Sequence, residues 1–193
     1  MNEIIQYAIY YGMYIVYFVL LFLVLKFIFS KTQKHYNSRW QSYIDGFNYS
    51  TQNFYKLIEE ELNNLGIKSI KTKHVNLKEG GAFSASRTYL KITWKDFEYY
   101  ISGAPFAKLF YFSSWCFYRY SILYLLISKI PFIGSYLARV WYPITFYKID
   151  TKNIFASKMH EIVLKVIDNI TEEKGVRLSE SDRKPILNDI FKR

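Results

Sequence analysis

One stretch of this chain, residues 7–25, runs for nineteen positions without a charge, an amide or a proline. A helix rises about 1.5 Å per residue, so roughly 20 apolar residues can cross a hydrocarbon core of about 30 Å. The stretch predicts a transmembrane anchor over residues 1–30, which includes Tyr7, Tyr14, Tyr17 and Leu25. A cleaved signal peptide fits less well, because no basic segment precedes the apolar run and no small-residue cleavage site follows it.

The charges beside this stretch predict an orientation. Lys31, Lys34 and Arg39 follow it, whereas Glu3 is the only charged side chain before it. Lys and Arg are enriched on the cytoplasmic side of membrane helices. The sequence therefore predicts a single-pass protein of a bacterial inner membrane, with residues 31–193 in the cytoplasm.

Small residues within the same stretch indicate a surface for helix packing. Ala8 and Gly12 form a small-xxx-small pair beside a row of tyrosines, and such pairs let membrane helices approach closely. We expect another membrane protein or a second copy of this chain as the partner. A lone helix that shares its hydroxyls with its own backbone is the alternative.

Residues 99–149 have an unusual composition. They contain no Asp or Glu and hold seventeen of the chain's thirty-nine aromatic residues. Within them, residues 106–147 are apolar but interrupted by Arg119, Lys129 and Arg139, with Lys148 just beyond. A second span over residues 109–127 would place Arg119 at its centre, at a cost of about 2.5–3.5 kcal/mol.

We therefore predict that residues 106–147 form a hydrophobic insertion at the membrane interface. The four basic residues and Trp141 would face anionic headgroups while the apolar groups enter the boundary. Lys31, Lys34 and Arg39 are also expected to contact anionic lipid. Packing of this segment on a partner, or on the chain's own sheet, remains the alternative.

The remaining pattern predicts an α+β domain over residues 31–193. Amphipathic helices are expected around residues 40–65, either as one helix or as two with a break near Ser50, and around residues 155–170. Strand patterns cover residues 67–77, 87–94 and 97–102, and residues 106–120 are strand-like with aromatic groups on both faces. Ser179 and Asp182 resemble a capping box that opens a last helix over residues 180–191. Together these patterns predict a small antiparallel sheet packed with two amphipathic helices.

Recognisable catalytic chemistry is missing from the sequence. The three histidines show no metal-ligand spacing, and there is no phosphate-binding loop, nucleophile elbow or dinucleotide fingerprint. We therefore expect no cofactor, no metal and no catalytic residue. The lysines at 68, 71 and 73 are best explained as a solvated strand face, so nucleic acid is not favoured as a partner.

Three segments of the second half carry a resemblance: SGAPF at residues 102–106, YKIDT at 147–151 and HEIVLKVIDNITEEKG at 160–175. With these segments the chain resembles bacterial membrane-associated proteins of unassigned function. The resemblance implies no activity and no site residues.

Together the patterns indicate a non-catalytic accessory or scaffold subunit of a membrane protein complex that also binds anionic lipids. The alternative is a lipid-directed membrane enzyme that depends on His74, Glu98 or Cys116. Membrane-tethered nucleic-acid binding is a third hypothesis.

Overall fold

A computed structural model describes residues 2–29, 35–67, 69–78, 85–172 and 174–187. The chain divides into two compact units, one of residues 1–33 with 120–143 and the other of residues 34–119 with 144–193. The first unit holds helices α1 (Asn2–Phe29), α3 (Ile122–Ser128) and α4 (Gly134–Trp141). The second holds strands β1 (His35–Asp45), β2 (Lys71–Lys78), β3 (Ser86–Trp94), β4 (Phe97–Phe106), β5 (Leu109–Tyr118) and β6 (Ile186–Leu187), with helices α2 (Thr51–Asn64) and α5 (Phe146–Glu172).

No helix within the described residues is long and apolar enough to cross a membrane. The predictions of a transmembrane anchor, a single-pass topology and an inner-membrane location are therefore wrong. The prediction counted as apolar several tyrosines that carry a polar hydroxyl, such as Tyr10 and Tyr14, whose oxygens lie 2.7 Å apart.

The second unit is built on an antiparallel sheet with strand order β2-β3-β4-β5-β1-β6. Consecutive strands from β2 to β5 form a meander, and β1 adds beside β5 through a register that pairs Trp40 with Ser114. The two-residue β6 pairs with β1 at Ser38 and Arg39. The architecture is therefore α+β, with helices α2 and α5 packed on one face of the sheet.

The predicted helix over residues 40–65 is wrong in its first half, because residues 35–45 form strand β1. Trp40, Tyr43 and Ile44 have helical spacing, but Trp40 and Ile44 are buried while Tyr43 is 59% exposed. Burial alternates along β1, as it does when one face of a strand covers a core. Only α2 is helical, beginning after Ser50, whose hydroxyl accepts a hydrogen bond from the Asn53 N–H.

The hydrophobic core lies between the sheet and the two helices. Phe110 and Phe112 of β5 lie on the side of the sheet that α2 covers, and both are fully buried. Gly103 makes this packing possible, since a Cβ there would lie 2.6 Å from the Phe54 ring. Other core residues are Ile58, Leu62, Leu90, Ile92, Phe97, Ile101, Phe155, Met159, Val163, Val166 and Ile167.

The opposite face of the sheet, here called the outer face, carries the alternate side chains of the same strands.

The predicted helix over residues 180–191 is also wrong where the structure describes it, since residues 186–187 form β6. The Ser179 hydroxyl donates to the Asp182 carboxylate at 2.6 Å, so the predicted capping pair forms but holds a turn. Residues 188–193 lie outside the described part.

Candidate functional site

Helices α3 and α4 form a short helical hairpin, here called the hairpin, in the first unit. The Ser121 hydroxyl accepts a hydrogen bond from the Tyr124 N–H at 3.1 Å and caps α3. Lys129 is the C-cap residue of α3, and Arg139 lies in the last turn of α4, where a cation complements the helix dipole. The hairpin contains no acidic residue.

Close packing between the two helices depends on two small residues, Gly134 and Ala138, which are both buried. A Cβ on Gly134 would lie only 2.4 Å from the carbonyl oxygen of Ile127. This position therefore accepts glycine alone without a shift of the backbone.

The tip of the hairpin holds Phe132 in a strained conformation. Its φ is +65°, in the left-handed region that aromatic residues rarely adopt. The Ile133 N–H donates to the Pro131 carbonyl at 2.8 Å, so Phe132 is the central residue of a tight γ-like turn. The Phe132 side chain is 103% exposed, so burial of its ring does not offset this strain.

The hairpin exposes nine large apolar side chains, Phe132 among them. A soluble protein rarely exposes many large apolar side chains together unless they form a binding surface. Trp141 is 65% exposed at the end of α4, and Arg139 in the same turn is also exposed. The other exposed members are Ile122, Leu123, Leu126, Ile130, Ile133, Tyr136 and Val140.

The structure brings together only some of the predicted lipid-facing residues. Lys129, Arg139 and Trp141 belong to the hairpin, whereas Arg119, Lys148 and Arg39 belong to the second unit. Arg39 lies on the outer face of β1, and Arg119 follows β5 with its guanidinium 3.5 Å from the Lys95 carbonyl. Lys148 lies in the first turn of α5. Lys31 and Lys34 lie outside the described residues.

The residues predicted for helix packing and anchoring lie in α1. Tyr7, Tyr14, Tyr17 and Gly12 are described, and the three tyrosines are exposed. A Cβ on Gly12 would have no neighbour within 4 Å. Ala8 and Leu25 lie in the same helix, and their side chains are outside the described part.

The polar residues considered for an enzyme have structural partners. Glu98 is 3% exposed and forms an ion pair with Lys91 at 2.7 Å. The Tyr100 hydroxyl donates to the same carboxylate at 2.8 Å, and burial together with this carboxylate raises the pKa of Tyr100 to about 12. His74 lies on β2, on the core side, with its Nε2 3.2 Å from the Glu59 carboxylate on α2.

Cys116 lies inside the core on β5. Burial raises the pKa of its thiol to about 12, so the nucleophilic thiolate is not formed near neutral pH. Glu98 faces outward, whereas His74 and Cys116 lie on the helix-covered side of the sheet. Within the described ranges, no group of three or more His, Cys, Asp or Glu residues is arranged to hold a metal.

Sequence reasoning missed two features of the structure. It recognised residues 106–120 as strand-like but assigned them to the interfacial segment, whereas residues 109–118 form an internal strand of the sheet. It also did not detect the aromatic and basic side chains that meet on the outer face. Side chains alternate between the two faces along β1 and β5, so the sequence shows which residues of each strand share a face. Only the pairing of distant strands shows which of these residues lie next to each other.

No protein-family model, curated protein or solved structure matches this chain. Function is therefore inferred from the geometry of the described residues.

Proposed function

We propose that this protein is a non-catalytic accessory or scaffold protein that attaches to an anionic lipid surface through its hairpin. The observation that carries this proposal is the exposed apolar surface of α3 and α4, with Phe132 fully exposed at a strained tip. Side chains held in strained conformations cluster at sites that bind ligands or partners. The hairpin would lie along the lipid surface with its apolar groups in the headgroup boundary.

The energetics of such attachment are favourable. Burial of one large apolar side chain contributes about 1.5–3 kcal/mol, and the hairpin offers several. A basic residue near an anionic surface adds about 1 kcal/mol. Arg139 and Lys129 supply this charge, and the absence of acidic residues from the hairpin removes the opposing repulsion.

A protein partner for the hairpin is the competing hypothesis, and composition argues for lipid. A protein partner for this surface would need an acidic patch to complement Lys129 and Arg139. The hairpin itself combines apolar groups with positive charge alone. This combination is typical of helices that bind an anionic membrane interface.

The non-catalytic part of the proposal is supported by the partners of the candidate catalytic residues. Glu98 is neutralised by Lys91, and the thiol of Cys116 is buried and protonated. A general base or nucleophile needs an accessible, reactive group within reach of a substrate. We therefore propose that these residues stabilise the fold.

Lipid insertion of the hairpin is tested with a fluorophore that reports its local environment. The full-length chain with Phe132→Cys is labelled with an environment-sensitive dye and mixed with vesicles of phosphatidylcholine, with or without about one-third phosphatidylglycerol. The native Cys116 is buried with a raised pKa, so the new thiol is labelled selectively. We expect a blue shift and protection from aqueous quenchers with the anionic vesicles.

The matched control is Tyr43→Cys, an exposed aromatic position on the outer face of the sheet, in the second unit. Its dye should keep an aqueous spectrum with both kinds of vesicle. An unshifted spectrum at position 132 with anionic vesicles would contradict lipid insertion and favour a protein partner. An equal shift with neutral vesicles would contradict the role of anionic lipid.

A further inference from the structure

The outer face of the sheet carries a row of aligned side chains that crosses five strands. In this row Lys73 lies opposite Lys91, Lys91 opposite Tyr100, and Tyr100 opposite Trp115. Arg39 lies opposite Trp115 and ends the row. Neighbouring strands are about 4.8 Å apart, so the row spans about 19 Å with cations at both ends. In its middle Tyr100 is buried, whereas Trp115 is partly exposed.

Aromatic groups beside this row line an open cavity of about 320 Å³. The rings of Trp115 and Phe117 are nearly parallel, at an interplanar angle of 10°, and Tyr100 meets Phe117 edge to face. Tyr89 and Leu77 complete the lining. Trp115, Phe117 and Tyr89 are each half-buried, so part of each ring faces the cavity.

Further along the same face, a second cation lies against a second aromatic group. The guanidinium of Arg87 lies 6.0 Å from the centre of the Tyr111 ring, and Tyr111 lies opposite the exposed Tyr43. Residues from four strands line a neighbouring cavity of about 310 Å³ here, among them Arg87, Phe106 and Tyr111. The alternation of aromatic and basic groups therefore continues across the face.

The charge on the outer face is unbalanced. Five cations, Lys71, Lys73, Arg87, Lys91 and Arg39, face outward with two carboxylates, Glu98 and Asp45, for a net charge of +3 (five minus two). Glu98 is already paired with Lys91. Lys73 lies directly opposite this ion pair and is exposed. An anionic ligand would therefore be attracted to Lys73 and to the other outward cations.

We propose that the outer face binds a single strand of nucleic acid. Bases would stack on the partly exposed rings of Trp115, Phe117 and Tyr89, and phosphates would contact Lys73, Arg87 and Arg39. Stacking aromatics and basic side chains on one surface are the two requirements for this ligand, and the sheet supplies both. The site is independent of the hairpin, so either proposal can fail without the other.

The proposal is tested by fluorescence anisotropy of the full-length chain with labelled oligothymidylate and oligouridylate of about 12 nucleotides. We expect Trp115→Ala to weaken binding by about 5- to 150-fold, as the loss of one stacked base predicts. We expect Lys73→Gln to lower the slope of log affinity against log salt by about 0.7, the loss of one phosphate contact. Comparison of the two oligomers separates DNA from RNA as the ligand.

Matched controls separate specific binding from general attraction by a basic protein. Trp141→Ala removes an exposed tryptophan of the hairpin, and Lys56→Gln removes an exposed lysine of α2. Neither control should change affinity by more than about twofold. Lys73 is exposed, so its substitution tests the site even if Trp115→Ala fails to fold.

Four results would overturn the proposal: no binding at low salt, equal loss of affinity in Lys56→Gln and Lys73→Gln, unchanged binding in Trp115→Ala when circular dichroism shows it folded, or equal affinity for polyglutamate. Polyglutamate of similar length provides the last comparison. Equal affinity for polyglutamate would show that the face binds any acidic chain, including an acidic protein segment, without stacking.

Discussion

Tyr55 shows how a single hydroxyl holds this sheet together where two strands separate. Strands β3 and β4 pair from Trp94 to Leu90 and then diverge. At the fork the Tyr55 hydroxyl donates to the Thr88 carbonyl at 2.8 Å and accepts from the Gly103 N–H at 3.4 Å. It thus replaces a strand-to-strand hydrogen bond with two bonds through a helix side chain.

Tyr55→Phe should lower the free energy of unfolding by about 1–3 kcal/mol, because it leaves the buried Gly103 N–H without an acceptor. Urea unfolding followed by circular dichroism measures the change. Tyr43→Phe removes an exposed hydroxyl from the same sheet and should change stability by less than about 0.5 kcal/mol. Equal stability of the two variants would show that the bridge contributes nothing.

His160 makes the fold sensitive to acid. Its Nε2 donates to the Arg183 carbonyl at 2.6 Å, and its ring packs edge-on against Trp40. Burial lowers the pKa of His160, while the bond to Arg183 opposes part of this shift. The folded state therefore binds a proton less readily than the unfolded chain. Stability is full above pH about 6.5 and falls as pH drops below it.

His160→Gln should remove this contribution, so its loss of stability between pH 7.5 and pH 5.5 should be smaller than that of the native chain. Urea unfolding at the two pH values measures the difference. His74→Gln is the control, since His74 is half-exposed, and it should keep the native pH dependence arising from His160. If His160→Gln kept the native pH dependence of stability, the acid sensitivity would not arise from His160.

At the scale of elements, the hairpin is defined by one contact between helices. The backbone of Gly134 in α4 approaches the Ile127 carbonyl of α3, and Ala138 follows one turn later on the same side. Most of the large apolar side chains of the hairpin are exposed despite this contact.

Gly134→Ala should separate the two helices, because its Cβ would meet backbone atoms that cannot rotate away. We expect a local cost of about 1–3 kcal/mol. Hydrogen exchange of the α4 amides should accelerate, while that of α2 and α5 stays native. Ser135→Ala changes an exposed neighbour in the same helix and should leave exchange unaltered.

At the scale of the whole molecule, the net charge of +10 attracts any anionic surface or polymer. Specific binding of the hairpin to lipid must therefore be distinguished from this non-specific attraction. Arg139→Gln should weaken binding to anionic vesicles about fivefold, as loss of about 1 kcal/mol predicts. Arg177→Gln makes the same change in net charge at an exposed position of the second unit and should have a smaller effect. Equal effects would assign vesicle binding to net charge alone.

The sequence by itself determined the elements whose pattern is local. The apolar stripe of α5, the strands β3 and β4 around Lys95 and Asp96, and the end of α2 before Gly66 follow from spacing and turn residues a few positions apart. The sequence also showed that the hairpin is apolar and contains no acidic residue. These features depend on neighbours within one or two turns of chain, so periodicity suffices to find them.

Only the tertiary structure decided the features that depend on distant pairing. Residues 35–45 became a strand because β5, some seventy positions away, offers them a ladder and a face to cover. The same pairing aligns Arg39 with Trp115 and so completes the aromatic and basic row on the outer face. A strand's partner and register are set by packing across the whole sheet. Local spacing carries no information about either, which is why this face emerged only from the fold.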